Sequence, residues 1–222
     1  MASLTRRSAA ALLLSSAALV VYATMWLGYR HHWGWLDGAD SSTLTAAYDV
    51  GVKHPGWVRF WDGLCTVLAP ATFRLLGWAA ILVALAKRRL RVVLFLAVSV
   101  EMTEFVTRTA KGLADRPRPV TALVAAQSSS FPSGHALGAM VGVAALLTVI
   151  VPLLRPRVRL VAIAAGVVIV VMVGVGRVAL NVHNPSDVLA GWSLGYVYFA
   201  LCRWLVRPLG GGRPTADAPQ AA

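Results

Sequence analysis

The sequence predicts an all-α fold, a bundle of six transmembrane helices with both termini on the cytoplasmic side. Three observations predict it. Of 222 residues, 58% are hydrophobic, and the mean hydropathy of +0.68 lies well above the balance of a soluble domain. Six apolar stretches approach the roughly 20 residues that a helix needs to cross about 30 Å of hydrocarbon. Short clusters of Lys and Arg fall between those stretches in alternation. The net charge of +12 therefore reads as a topology signal rather than as a nucleic-acid surface, which would gather its cations on one folded face.

The first stretch, 9–29, follows Arg6 and Arg7. A small-residue VYA at 21–23 loosely resembles a signal cleavage site, but the apolar run continues to Tyr29, so a retained helix is expected. Segment 30–62 interleaves Asp37, Asp40, Asp49 and Asp62 with Trp33, Trp35, Trp57 and Trp61, a composition suited to an extracytoplasmic loop resting on headgroups, either as an anchor or as a lid. The second and third stretches, 63–86 and 91–110, carry Arg74, Glu101 and Glu104 within them. Such groups are too costly to face lipid and should point into the bundle. Helical rise puts Arg74 and Glu101 at matching depth, which predicts an ion pair between the two helices; Glu104 and Arg108 should pair at i, i+4. The remaining stretches are 133–154, 159–176 and 187–206. One domain, 1–209, and a disordered tail, 210–222, complete the layout. Cys65 and Cys202 fall at opposite membrane faces, so free thiols are expected and no disulfide or metal cluster is implied.

Positive charge sets the orientation. Arg6 and Arg7, KRRLR at 87–91, RPRVR at 155–159, and Arg203, Arg207 and Arg213 all mark one side as cytoplasmic. Lys111, Arg116, Arg118 and Arg177 then fall on the outer side, against that pattern. Any one of them could snorkel to headgroups; a cluster at a helix-bundle mouth also suits an anion, since Arg offers a planar fork and Lys a point charge.

Their neighbours narrow the choice. Lys111 and Arg118 bracket six residues in KGLADRPRP. PSGH at 132–135 opens the fourth stretch, where unpaired N–H groups and the macrodipole favour anions, Gly134 permits close approach, and Ser133 could equally serve as a helix cap. GRVALNVHNPSD then supplies Arg177, His183 and Asp187. Asp187 could cap the sixth helix, or fix the tautomer of His183 by accepting a hydrogen bond from one ring nitrogen. Two histidines from different loops, with cations and an oriented carboxylate, suit nucleophilic phosphoryl transfer. His31, His32 and His54 have no such company and read as interfacial polar residues.

These three segments resemble the signature K-x6-RP, PSGH and SR-x5-H-x3-D of the type 2 phosphatidic acid phosphatase superfamily, integral-membrane lipid phosphatases related in their active site to vanadium haloperoxidases. Gly176 stands where the family often has serine. The resemblance implies an active site at the extracytoplasmic mouth, with Lys111, Arg118, Ser133, Gly134 and Arg177 binding the phosphoryl group. It further implies His183 as nucleophile, Asp187 as its orienting partner and His135 as the acid and base. No cofactor or metal is implied. Partners are then a lipid phosphate or diphosphate and membrane lipids, not nucleic acid, in a multi-pass protein of the plasma (inner) membrane. The first expectation for the substrate is a polyprenyl diphosphate of the undecaprenyl or decaprenyl type. Phosphatidic acid, phosphatidylglycerol phosphate, transfer to another lipid, a non-enzymatic lipid or anion carrier, and a vanadate-dependent oxidase are the alternatives. Oligomeric state is not legible.

Overall fold

The computed structural model describes residues 2–208, with side chains from residue 9 onward. The tail expected to be disordered, and Arg213 within it, lie outside the described residues. All regular structure among those described is helical. In chain order the helices are α1 (Ala2–Arg30), α2 (Gly34–Lys53), α3 (Pro55–Val67), α4 (Pro70–Ala86), α5 (Leu90–Leu96), α6 (Thr103–Ala114), α7 (Gly134–Ile150), α8 (Pro156–Ala179) and α9 (Pro185–Val206). A π-helical turn, Ala97–Glu101, joins α5 to α6.

Proline punctuates the chain. Pro55, Pro70, Pro156 and Pro185 open α3, α4, α8 and α9, where a missing N–H leaves no hydrogen bond unmade. At the other end of α6, Asp115 takes a left-handed conformation (φ 43°), which stops the helix and turns the chain into the KGLADRPRP loop.

Among the described residues, five helical runs are long and apolar enough to cross a membrane: Ala9–Arg30, Pro55–Ala86, Gly134–Leu153, Pro156–Ala179 and Pro185–Val206. The expected third span does not qualify by itself, because the π turn divides it and Glu101, Glu104, Arg108 and Lys111 dilute it. The π turn carries Glu101 toward α4, and both expected ion pairs form. Arg74 Nε lies 3.4 Å from Glu101 Oε2, and Arg108 Nε lies 2.7 Å from Glu104 Oε1. Cys65 and Cys202 are free and buried.

Segment 30–62 corrects the sequence reading: it is two helices rather than a loop. Leu36, Asp40 and Leu44 are buried at every fourth residue of α2, a single stripe that packs on α8 and α9. Mixed Trp and Asp composition concealed that stripe. The second expected helix likewise begins at Pro55 rather than residue 63 and breaks before Pro70, whose ring disfavours helix in the preceding residue.

Helix α7 occupies the centre, against α4, α8 and α9, while α1 lies along α9. Inside lipid, tails are as apolar as leucine, so association depends on close packing. Gly191 and Gly195 provide it: a Cβ there would stand 2.6 Å from the Ser133 carbonyl oxygen and 3.0 Å from that of Leu137. The α7 and α9 backbones therefore touch directly. Because α7, α8 and α9 follow one another through short connections and the loop 115–133 leads from α6 to α7, the end of α6, the start of α7, the end of α8 and the start of α9 meet at one end of the bundle. The Arg-rich turns at 87–91 and 155–159 lie at the other end.

Candidate active site

A cavity of about 870 Å³ opens at that end, bordered by Lys111, Arg118, Gly134, His135, Arg177 and His183. Six of the eight residues singled out from the sequence thus share one space. Asp187 stands behind His183, and Ser133 is held elsewhere.

Arg118 is fastened by carbonyls. Nη1 donates to Val182 O at 2.7 Å, Nη2 to Gln127 O at 2.8 Å and Nε to Ser128 O at 3.0 Å, and Nη1 stands 3.3 Å from Nε2 of His183. Lys111 Nζ donates to Ser129 O. Burial, with Arg118 close by, lowers the Lys111 ammonium to about 8. Burial likewise lowers the Arg118 guanidinium, and Arg177 adds to the shift. Arg177 is 7% exposed, and its Nε is buried with no hydrogen-bond partner among the described residues. A buried, unpaired cationic donor beside a cavity fits an anionic ligand that would complete it. Gly134 leaves room on its α6 side, since a Cβ would meet Thr107 Cγ2 at 3.0 Å and Lys111 Cε at 3.8 Å.

His183 sits in the short connection between α8 and α9, 1% exposed. Its Nδ1 lies 3.5 Å from Oδ2 of the fully buried Asp187. The same carboxylate oxygen accepts the Asn184 N–H at 2.8 Å. Asp187 therefore caps the helix start and stands beside the imidazole at the same time. Ser130 was not anticipated: its hydroxyl donates to Asp187 Oδ2 and lies 3.5 Å from His183 Nδ1. Burial, opposed by Asp187, lowers the His183 imidazole to about 4. The ring is thus neutral at pH 7, with Nε2 directed at the cations.

Ser133 takes the capping place that the sequence offered beside ligand binding. It is fully buried, its Oγ accepts from Ala136 N at 3.5 Å as a helix cap, and its N–H donates to Asp187 O at 2.9 Å. Ser133 does not border the cavity, and the main-chain bond joins the heads of α7 and α9. Arg116, grouped with the cations by the sequence, turns away from the cavity toward Asp187 and Asp40. No group of three His, Cys, Asp or Glu suited to a metal ion occurs among the described residues.

The PAP2 superfamily model matches residues 92–210, which hold all three motif segments. The chain belongs to the PAP2 superfamily. It is 33% identical over 170 residues to phosphatidylglycerophosphatase B of Bacillus subtilis (strain 168), an alignment covering 75% of this chain and 68% of that one. Among solved structures it is similar to the crystal structure of the first transmembrane PAP2 type phosphatidylglycerolphosphate phosphatase from Bacillus subtilis. That match has a TM-score of 0.73 and 25% identity, over 91% of this chain and 98% of the other. The PAP2 protein described here is accordingly a multi-pass membrane lipid phosphatase.

Proposed function

We propose that this PAP2 phosphatase hydrolyses the phosphomonoester of phosphatidylglycerol phosphate. The relatives move the preference away from polyprenyl diphosphate, which becomes the second candidate. The observation that carries the site reading is the shared cavity: His183 Nε2 faces Arg118 while Lys111 and Arg177 border the same space.

In this reading Lys111, Arg118 and Arg177 hold the phosphoryl oxygens, and Arg177 Nε gains the acceptor it lacks. The His183 Nε2 lone pair attacks phosphorus while the bond to the glycerol oxygen breaks, and His135 gives that oxygen a proton. Asp187 holds the proton on Nδ1 and stabilises the charged ring. Water then attacks the phosphohistidine, losing its proton to His135, and the P–N bond breaks to release phosphate. Gly134 offers its N–H to a phosphoryl oxygen. The Ser133 Oγ accepts in the helix cap, which leaves its O–H free to donate to a phosphoryl oxygen. Below the cations the cavity continues past Phe73, Val100 and Gly138, a path for the lipid portion.

The segment 91–110 serves as the sixth span, with its Glu101 and Glu104 paired to Arg74 and Arg108. Both termini then lie in the cytoplasm, and the reaction takes place at the outer face of the plasma membrane. Lys and Arg at 87–91 and 155–159, opposite the site, support that orientation. Phosphate release by the purified protein in detergent, across phosphatidylglycerol phosphate, phosphatidic acid and polyprenyl diphosphate, tests the proposal. It stands if phosphatidylglycerol phosphate has the highest kcat/KM and His183→Ala releases none; preference for polyprenyl diphosphate would restore the other substrate.

A further inference from the structure

Arg116 is 8% exposed yet has no place on the cavity that holds the other cations. It approaches the His183–Asp187 pair from behind, beside a second cavity of about 440 Å³ that Asp40 and Asn184 also border. Its Nη1 donates at 2.7 Å to Asp187 Oδ1 and at 2.7 Å to Ser186 Oγ; its Nη2 donates at 2.9 Å to Asp40 Oδ2. Asp40, on α2 and 3% exposed, accepts the Ser186 N–H at 3.0 Å through its other oxygen. The Tyr29 ring covers the guanidinium, its centroid 4.8 Å from Cζ.

We infer that Arg116 and Asp40 are positioning residues for the reaction, fixing the Asp187 carboxylate and through it the His183 ring, so that α2 belongs to the active-site framework. Asp187 has two oxygens and two tasks. Oδ2 meets Ser130, Asn184 and the imidazole, whereas Oδ1 is held by Arg116. Without that grip the carboxylate plane could turn about its Cβ–Cγ bond, and the imidazole would lose its reference. Charge matters too. A buried guanidinium behind Asp187 opposes proton retention by the His183–Asp187 pair and so favours the neutral nucleophile. His183 also faces Arg118 and Ser130 from the preceding loop, Arg177 from α8, and Lys111 and His135 across the cavity; Arg116 is set apart from these cations by acting through Asp187. This assignment rests on the proposed phosphohistidine reaction.

The test compares wild type, Arg116→Gln, Arg116→Lys and Asp40→Asn as purified full chains, with phosphatidylglycerol phosphate as substrate. In parallel, histidine ring NMR titrates His183 without substrate, its signals assigned by His183→Ala. Arg116→Gln should lower kcat about 10- to 100-fold, the range for an outer partner of a working side chain, with KM changed by less than about threefold. Its kcat/KM acid limb and the His183 titration should both move to higher pH. Arg116→Lys should restore most of kcat, and Asp40→Asn should shift both readouts in the same direction by less. Lower kcat per folded molecule with an unmoved limb and titration would reduce Arg116 to a structural pin. A rise in KM alone would make it a phosphate ligand. If Arg116→Gln fails to fold, Arg116→Lys and Asp40→Asn decide by the same shifts. Wild type inert toward every lipid phosphate would overturn the proposed reaction, while the substrate-free titration would still judge the coupling.

Discussion

Nδ1 of His183 stands 3.5 Å from Oδ2 of Asp187, on the side of the ring away from the cavity. In the proposed reaction nucleophile and acid are separable by experiment, since there His183 reacts with phosphorus and His135 supplies a proton. His183→Ala should abolish phosphate release from every substrate. His135→Ala should lose about 10²- to 10⁴-fold on lipid substrates, and far less on an activated aryl phosphate whose leaving group departs without a proton. Equal losses on both would remove His135 from the acid role.

The pH profile should be a plateau bounded by two groups. Burial holds His183 at about 4, against Asp187, and holds Lys111 at about 8, with Arg118 adding. Below the first, the nucleophile is protonated; above the second, a phosphate-binding charge is lost. Lys111→Arg, permanently charged, should carry the alkaline limb of kcat/KM upward. A limb that stays near 8 would belong to another group.

Stability should follow the same histidine. An unfolded chain binds a proton on His183 near its ordinary value of about 6.5, whereas the folded chain resists until about 4. The unfolded state therefore takes up more protons in that window, and stability present above pH 6.5 is lost as pH falls toward 4. Thermal melts should show an acid-side decline that is smaller in His183→Gln.

Lys111, Arg118 and Arg177 are three of the cationic side chains on the cavity, and in the proposed reaction they offset the phosphoryl charge in place of a divalent ion. Phosphate release should therefore persist in excess chelator at an unchanged rate. A rate restored only by added magnesium would contradict the assignment of transition-state charge to these side chains.

Gly176 is filled from outside. A Cβ there would lie 2.7 Å from Cys65 Sγ and 2.9 Å from Trp61 Cε3, so the serine common in the family has no space. Gly176→Ser should destabilise by about 1–3 kcal/mol through overpacking and displace the adjacent Arg177. Adding Cys65→Ala should recover part of the loss in both melting and activity; a double variant no better than the single would show that Sγ is not the obstacle.

Much of this site was legible because its parts lie in short, fixed spacings. Lys111 and Arg118 flank one turn, and Arg177, His183 and Asp187 follow within one connection, so local pattern carried them. Ser130, Arg116 and Asp40 were not legible in their observed places. The contacts that define them span 57, 71 and 76 residues, and nothing in the local sequence encodes a meeting at such separation. Arg116 looked like its neighbour Arg118 until the fold turned it to the opposite side of Asp187. Ser133 stayed open for a different reason: a serine before a helix can cap it or bind a ligand, and a hydroxyl that accepts in the cap can still donate. The helix α2 was hidden because its buried face includes a charged residue, Asp40, whose partner is supplied by a distant loop.

The glycine seam between α7 and α9 has a consequence for how this enzyme could diversify. With main chain against main chain at Gly191 and Gly195, a side chain added at either position would part α7, which carries His135, from α9, which carries Asp187. Thr66, Arg74, Glu104, Arg108 and Gln127 border the same cavity away from that seam, where a changed side chain leaves the helix contact intact. One wall of the enzyme is chemically committed, and the other is free to drift toward a new lipid.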